Sequence, residues 1–303
     1  MLQVKKIIRP VSKEFRKTNC GFDHTEPSDF VKAQWQNCTK NVIYLIYRWL
    51  VALFFIGVVL TSMLDHEMDA YYFIFLTNWG ILMCMCSHLL GAILVTIWHY
   101  HPEYADNITD SNSMPTAFKI YWIMHITTLI SSLIITIVYW SMLYTSDIPL
   151  TATNVLTHAF NAAIMFLDFL IVSYPMRLLH LYLPVLFGII YSLFTVIYYL
   201  CGGRHPNGSV YIYTVLDWTK PGQTITTLVG LLMLACFLHI IIFIIYKIRI
   251  LIYKKYILSR NSLPISNSGS TVVTHPPSGI SMVLGNYGYE NRGFAGSMEK
   301  IPK

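Results

Sequence analysis

Six long apolar runs divide the chain, at about Val42–Met63, Tyr71–Trp98, Ala117–Leu143, Asn154–Val172, Leu181–Leu200 and Thr224–Tyr246. A bilayer core is crossed by about 20 consecutive apolar residues in an α-helix. Hydrocarbon offers backbone N–H and C=O groups no partner, so each run is predicted to be helical. The pattern therefore predicts an all-α, polytopic membrane protein built as a six-transmembrane-helix bundle. Three segments result: a polar, basic N-terminal arm over residues 1–41, the membrane domain over 42–250, and a C-terminal segment over 251–303. The basic start speaks against a cleavable signal peptide. From Asn261 onward Ser, Gly, Asn and Pro dominate. Such a tail cannot bury enough apolar surface to offset its ordering entropy, and it is expected to be disordered.

Composition agrees with the pattern. Only 12% of the 303 residues are charged and 55% are hydrophobic, whereas a soluble domain carries about 25% charged residues. The charges are unevenly placed. Residues 1–48 hold nine Lys/Arg and residues 247–260 five more, while the first loop, Leu64–Ala70, holds three acids and no Lys/Arg. The excess of positive charge on cytoplasmic segments predicts that both termini are cytosolic. Anionic lipid is the expected partner of those flanks. No basic groove interleaved with aromatics supports nucleic-acid binding. Asn207-Gly208-Ser209 in the fifth loop is then a glycosylation candidate on the side where the modification occurs, whereas the sequons at Asn37 and Asn107 should stay bare. The six cysteines form no CxxC pair, so neither a disulfide framework nor a zinc site is expected, and no cofactor motif is present.

Polar residues inside the apolar runs raise the question of a site. Asn154, His158, Asn161, Met165 and Asp168 follow a 4-3-4-3 spacing and would share one helix face. The second run carries Thr77, Gly80, Cys84 and Gly91 at helical spacing, and the third carries His125, Thr128 and Ser132. Counting from the exterior, Thr77 falls roughly 9 Å and His158 roughly 6 Å deep at 1.5 Å per residue. His125 and Asp168 reach similar depths from opposite directions and are expected to touch. Ionisable residues in membrane helices are costly and mark functional sites. The competing reading is that small and hydroxyl residues only let helices approach and bond. Trp49, Trp79, Trp98, Trp140 and Trp218 read as interface anchors.

The stretches "FVKAQWQ", "YLIYRWLVALFF", "FLTNWG" and "LTHAFNAAIMFLDFLIVSYPMRLLHLYLPVLFGIIYSLFTVIYYL" resemble the rolling stone family over about residues 30–250. That resemblance implies a role in myoblast fusion and muscle development. A more distant similarity links the chain to the androgen-induced multi-pass hydrolases, which cleave fatty-acid esters of hydroxy fatty acids. It implies catalytic roles for Thr77, in "FLT", and for His158, in "LTHAFN", with Thr157 where those enzymes have Asn. Asn154 or Asn161 would replace that amide and orient the imidazole. A threonine hydroxyl needs a base, and a neutral histidine suits the task; Asn78 or a backbone N–H would stabilise the oxyanion. Three readings follow: a non-enzymatic membrane protein acting in fusion, a Thr/His-dependent hydrolase of lipid esters, and a transporter, for which no inverted repeat is found. Plasma membrane and endoplasmic reticulum are not distinguished.

Overall fold

A computed structural model of the chain describes residues 14–36, 38, 40–67, 69–101, 103–104, 108, 114–146 and 148–261, with side chains up to Ile257. The sequons at Asn37 and Asn107 and the C-terminal tail beyond Asn261 lie outside the described residues. Six helices long and apolar enough to cross a membrane are present: α1 (Val42–Asp65), α2 (Leu76–Tyr100), α3 (Thr116–Leu143), α4 (Ala152–Ile171), α5 (Leu178–Leu200) and α6 (Pro221–Asn261). The protein is thus an all-helical, multi-pass membrane protein. Among the described residues the sole β pairing is an isolated bridge between Ala33 and Val172.

Local chemistry sets the helix ends. Asn41 caps α1, its Oδ1 accepting from the amides of Ile43 and Tyr44 at 2.8 and 3.3 Å, which satisfies two of the unpaired first-turn donors. Thr151 does the same for α4 through the Asn154 amide. Pro184 falls in the first turn of the α-helical part of α5, Tyr182–Leu200, where its missing N–H costs nothing. The second helix begins later than its apolar run. Residues Ala70–Ile74 form a 3-10 turn, Phe75 is extended, and α2 starts at Leu76. Thr77 therefore lies in the first turn of its helix rather than six residues into it.

The first three helices pack most extensively, α1 on α2 and α2 on α3. Phe55, Ile81, Cys84, Trp122, Ile126 and Ile130 are fully buried between them or their neighbours. Outward residues such as Leu53, Leu60, Met233 and Phe237 are exposed and apolar, as a lipid-facing surface requires. Helices α5 and α6 lie at the periphery: each packs on α3, and they touch one another mainly at the Leu178–Leu181 turn, sparingly along Tyr182–Leu200.

The N-terminal arm is more than a basic tether. Phe30 is buried against Phe118, Trp122 and Tyr174, with ring centroids 5.8, 5.2 and 5.3 Å away. The Gln34 amide donates to the Ile171 carbonyl at 2.8 Å, and the Ser173 hydroxyl donates to the Asp29 carbonyl at 2.6 Å. Arg177 donates to the carbonyls of Gly21 and Asp23. The arm closes the end of the bundle where α1 begins and α4 ends.

Candidate functional site

The opposite end holds a cavity of about 500 Å³, lined by residues of the α1–α2 and α5–α6 connections and by the facing ends of α2, α3 and α4. Thr77, Asn78, Asn154 and His158 all line it, as does Asn207 at its loop wall. Two wide turns shape the opening. The last turn of α3, Tyr139–Leu143, and the second turn of α4, Leu156–Phe160, are π-helical, a distortion that often accompanies functional sites. The α4 turn breaks the expected stripe in two. Asn161, Met165 and Asp168 are fully buried in the bundle, whereas Asn154 and His158 are half-buried at the cavity.

The His158 ring stacks flat on Tyr139, with centroids 3.4 Å apart and planes 1° from parallel. Its Nδ1 is buried and has no hydrogen-bond partner. Neither asparagine holds the ring as expected. The Asn154 side-chain oxygen accepts from the Tyr139 hydroxyl and its amide donates to the Pro149 carbonyl at 3.2 Å. Asn161 instead accepts a 3.3 Å bond from the Cys84 thiol, because the π turn carries it off the cavity face. Orientation of the imidazole thus comes from aromatic stacking, with Asn154 acting one step removed by fixing Tyr139.

The residues after Phe75 have defined local tasks. The Asn78 amide donates to the Tyr72 carbonyl at 2.8 Å and the Trp79 indole to the Phe73 carbonyl at 2.6 Å. Both tie the 3-10 turn to the start of α2, so the Asn78 amide is committed to the backbone and not presented as an oxyanion donor. Thr77 is half-buried. Tyr213, from the α5–α6 connection, accepts from the Leu76 amide at 3.0 Å and places its hydroxyl beside those of Thr77 and Tyr191. Burial pushes the Tyr213 phenol above its usual range, outweighing hydrogen bonds from Leu76, Tyr191 and Thr77, and so keeps it a neutral partner. The first-turn N–H groups of α2 are themselves engaged: Leu76 donates to Tyr213, and Asn78 and Trp79 donate to the Phe75 carbonyl at 3.1 and 3.3 Å. His66 and His205 also line the cavity, but no three His, Cys, Asp or Glu side chains among the described residues converge as metal ligands.

A second polar group lies deep in the bundle, towards the arm. Asp168 receives Arg48 Nη1 at 2.7 Å, the Tyr47 hydroxyl at 2.8 Å and His125 Nε2 at 2.9 Å. His88 Nδ1 sits 3.8 Å from the same carboxylate, and its ring stacks on Phe55. Arg48 also donates to the Tyr121 hydroxyl at 2.7 Å. The structure therefore brings His125 and Asp168 together. It also corrects the reading of Arg48 as a flank charge: Arg48 is wholly buried and pairs with Asp168. In sequence the signal was an arginine six residues into an apolar run. Arg249 is likewise buried, donating to the Phe169 carbonyl and lying over the Phe169 ring. Eight Lys/Arg still remain in residues 1–40. The anchoring tryptophans have inward tasks too: Trp49 donates to Thr96 at 3.0 Å, Trp140 to the His158 carbonyl at 3.3 Å and Trp218 to Thr195 at 3.1 Å.

Comparison with known proteins adds identity to this geometry. A family model described as "Protein rolling stone" matches residues 1–263. The chain is 35% identical over 245 residues to Protein rolling stone of Drosophila melanogaster, covering 78% of this chain and 89% of the fly protein. No solved structure matches.

Proposed function

The chain belongs to the rolling stone family, and from that premise we propose that it acts in myoblast fusion and muscle development through hydrolysis of a membrane lipid ester at Thr77 and His158. The fusion role is what the family resemblance implies. One observation carries the chemistry: Thr77 and His158, singled out on two separate helices, line the same cavity.

In this reading an ester enters from the bilayer with its carbonyl beside Thr77. The Thr77 hydroxyl attacks the carbonyl carbon while His158 takes its proton. Collapse of the tetrahedral intermediate breaks the ester C–O bond, and the alcohol leaves with the proton from His158. Water then attacks the acyl-threonine, again losing a proton to His158, and the acid departs as Thr77 regains its hydrogen. Tyr139 holds the imidazole plane and Tyr213 steadies Thr77. A non-enzymatic role in fusion, with Thr77 merely joining helices, is the competing reading.

Purified protein in detergent, treated with a fluorophosphonate probe, separates the two. We expect labelling of wild type, and a loss of about 100-fold or more in Thr77→Ala and in His158→Ala, the scale of a missing nucleophile or base. Absence of labelling in folded wild type would sink the hydrolase reading.

A further inference from the structure

A second cavity, of about 440 Å³, opens between α3, α5 and α6. It has no part in the chemistry above, and its character is different. Its walls are apolar residues such as Ile134, Phe187, Ile189, Val196 and Leu232. Most of its few polar side chains are already engaged within the protein: Tyr191 donates to the Ile74 carbonyl at 2.8 Å, Ser192 to the Gly188 carbonyl at 2.8 Å and Trp218 to the Thr195 hydroxyl at 3.1 Å. The lining is overwhelmingly apolar. The cavity is framed by membrane-spanning helices, and its rim residues Ile189, Leu193 and Leu232 are exposed to the surroundings of the bundle. The crevice exists because beyond its Leu178–Leu181 turn α5 meets α6 only sparingly and because Gly188 leaves space: a Cβ built there meets nothing within 4 Å.

Position supplies the second argument. Leu76 lines this crevice and Thr77, the next residue, lines the polar cavity. Tyr191 lines the crevice and Tyr213 the cavity, and their hydroxyls interact across the partition. One thin wall, made at the start of α2, therefore separates an apolar slot open to the membrane from the candidate nucleophile.

We propose that the crevice between α3, α5 and α6 holds a long alkyl chain of a membrane lipid, the acyl chain of the ester whose carbonyl meets Thr77. The inference deepens the hydrolase reading and rests on it for the second half of that statement. It commits the site to long-chain esters: a long chain lies along the slot and gains van der Waals contact with its fixed walls, whereas an acetyl ester does not reach it. Leu76 marks the point where the chain would pass from slot to cavity.

The test uses the full-length protein in nanodiscs with a palmitoyl ester bearing a diazirine at its chain end. Thr77→Ala serves for crosslinking, since it would not turn the ester over. Gly188→Leu fills the slot in the open space noted above and replaces glycine by a better helix former. Gly57→Leu on α1, where a Cβ also meets nothing, is the control. Crosslinks should concentrate on crevice residues such as Ile189 and Leu232. They should fall about tenfold with Gly188→Leu but not with Gly57→Leu, the scale on which a pocket rejects a misfitting chain. Hydrolysis of the palmitoyl ester by the Gly188→Leu protein should fall likewise, with the acetyl ester unaffected. Crosslinks spread evenly over outward residues such as Leu53 and Met233 would mean bulk lipid only and overturn the proposal. So would undiminished palmitoyl hydrolysis in Gly188→Leu. Crevice crosslinks in a wild type that hydrolyses no ester would uphold the alkyl-chain site and defeat the hydrolase reading alone.

Discussion

Arg48 shows how one residue organises the buried end of the bundle. A guanidinium wholly removed from water is tolerable only when its donors are taken. Asp168 and Tyr121 take two of them. The packing around it leaves no slack: a Cβ added at Gly91 would collide with the Arg48 guanidinium and the Tyr121 ring. Arg48→Met should destabilise the protein by about 3–5 kcal/mol, because Asp168 would be left as a buried charge with the Tyr47 hydroxyl and histidines but no permanent cation beside it. Replacing both partners, as in Arg48→Met with Asp168→Leu, should restore much of that loss, since apolar pairs of similar volume substitute well for buried ion pairs. Thermal unfolding in detergent, followed by helical circular dichroism, measures both. Equal losses in the single and double variants would show that the pair is not the source of the stability. Gly91→Ala should fall between wild type and Arg48→Met. At this scale the sequence was partly readable. Asp168 and His125 announce themselves as ionisable groups inside apolar runs, but Arg48 lies close enough to the run's edge to pass for a flank charge. Only packing reveals which side of the boundary it occupies.

Among the elements, the arm and the π turns carry the unexpected content. The arm's polar, basic composition signalled a solvated segment, yet Phe30 inserts into an aromatic box. No periodicity precedes a short docking segment of 3-10 turns, so nothing in the pattern could mark it. Its hold includes Asp29, whose carboxylate is 2.9 Å from His24 and 3.1 Å from Lys32. Burial by itself would raise the Asp29 carboxyl, but the His24 hydrogen bond and the Lys32 charge outweigh it and hold the group below its ordinary value. A carboxyl depressed in the folded state stabilises above its unfolded value of about 3.9, and that stabilisation is lost as pH falls through the folded value. The arm should therefore stay docked from neutral pH down to about pH 4 and loosen below it. Pepsin cleavage within residues 14–36 would report the loosening. Asp29→Asn should remove this acid dependence, and Phe30→Ala should expose the arm at every pH, since deleting a buried Phe costs about 3–5 kcal/mol. Persistent acid release in Asp29→Asn would assign the effect to another group. The π turns were equally hidden. A regular 3.6-residue period put Asn161 beside His158, and one wide turn moves it to Cys84 instead.

For the whole molecule the open physical variable is direction across the membrane. The first described residues and the end of α6 lie at one end of an even-numbered bundle, tied by the ion pair of Lys247 with Glu14 at 2.5 Å. We expect that end to face the cytosol, because eight Lys/Arg in residues 1–40 flank it and such residues resist translocation. Moving Arg48 and Arg249 from the flanks into the bundle weakens the count but not its sign. The cavity would then face the lumen or exterior, with Asn207 at its wall. Asn207 is exposed in a turn, its Oδ1 accepting from the Ser209 amide at 3.0 Å, so the acceptor side chain is within reach of the modifying enzyme. Expression in cultured cells should yield a glycan that an endoglycosidase removes and that Asn207→Gln abolishes, with Asn37→Gln and Asn107→Gln unchanged. A glycan that survives Asn207→Gln and disappears with Asn107→Gln would invert the bundle. It would put the Thr77 cavity against the cytosolic leaflet, and any lipid ester reaching it would have to come from that side.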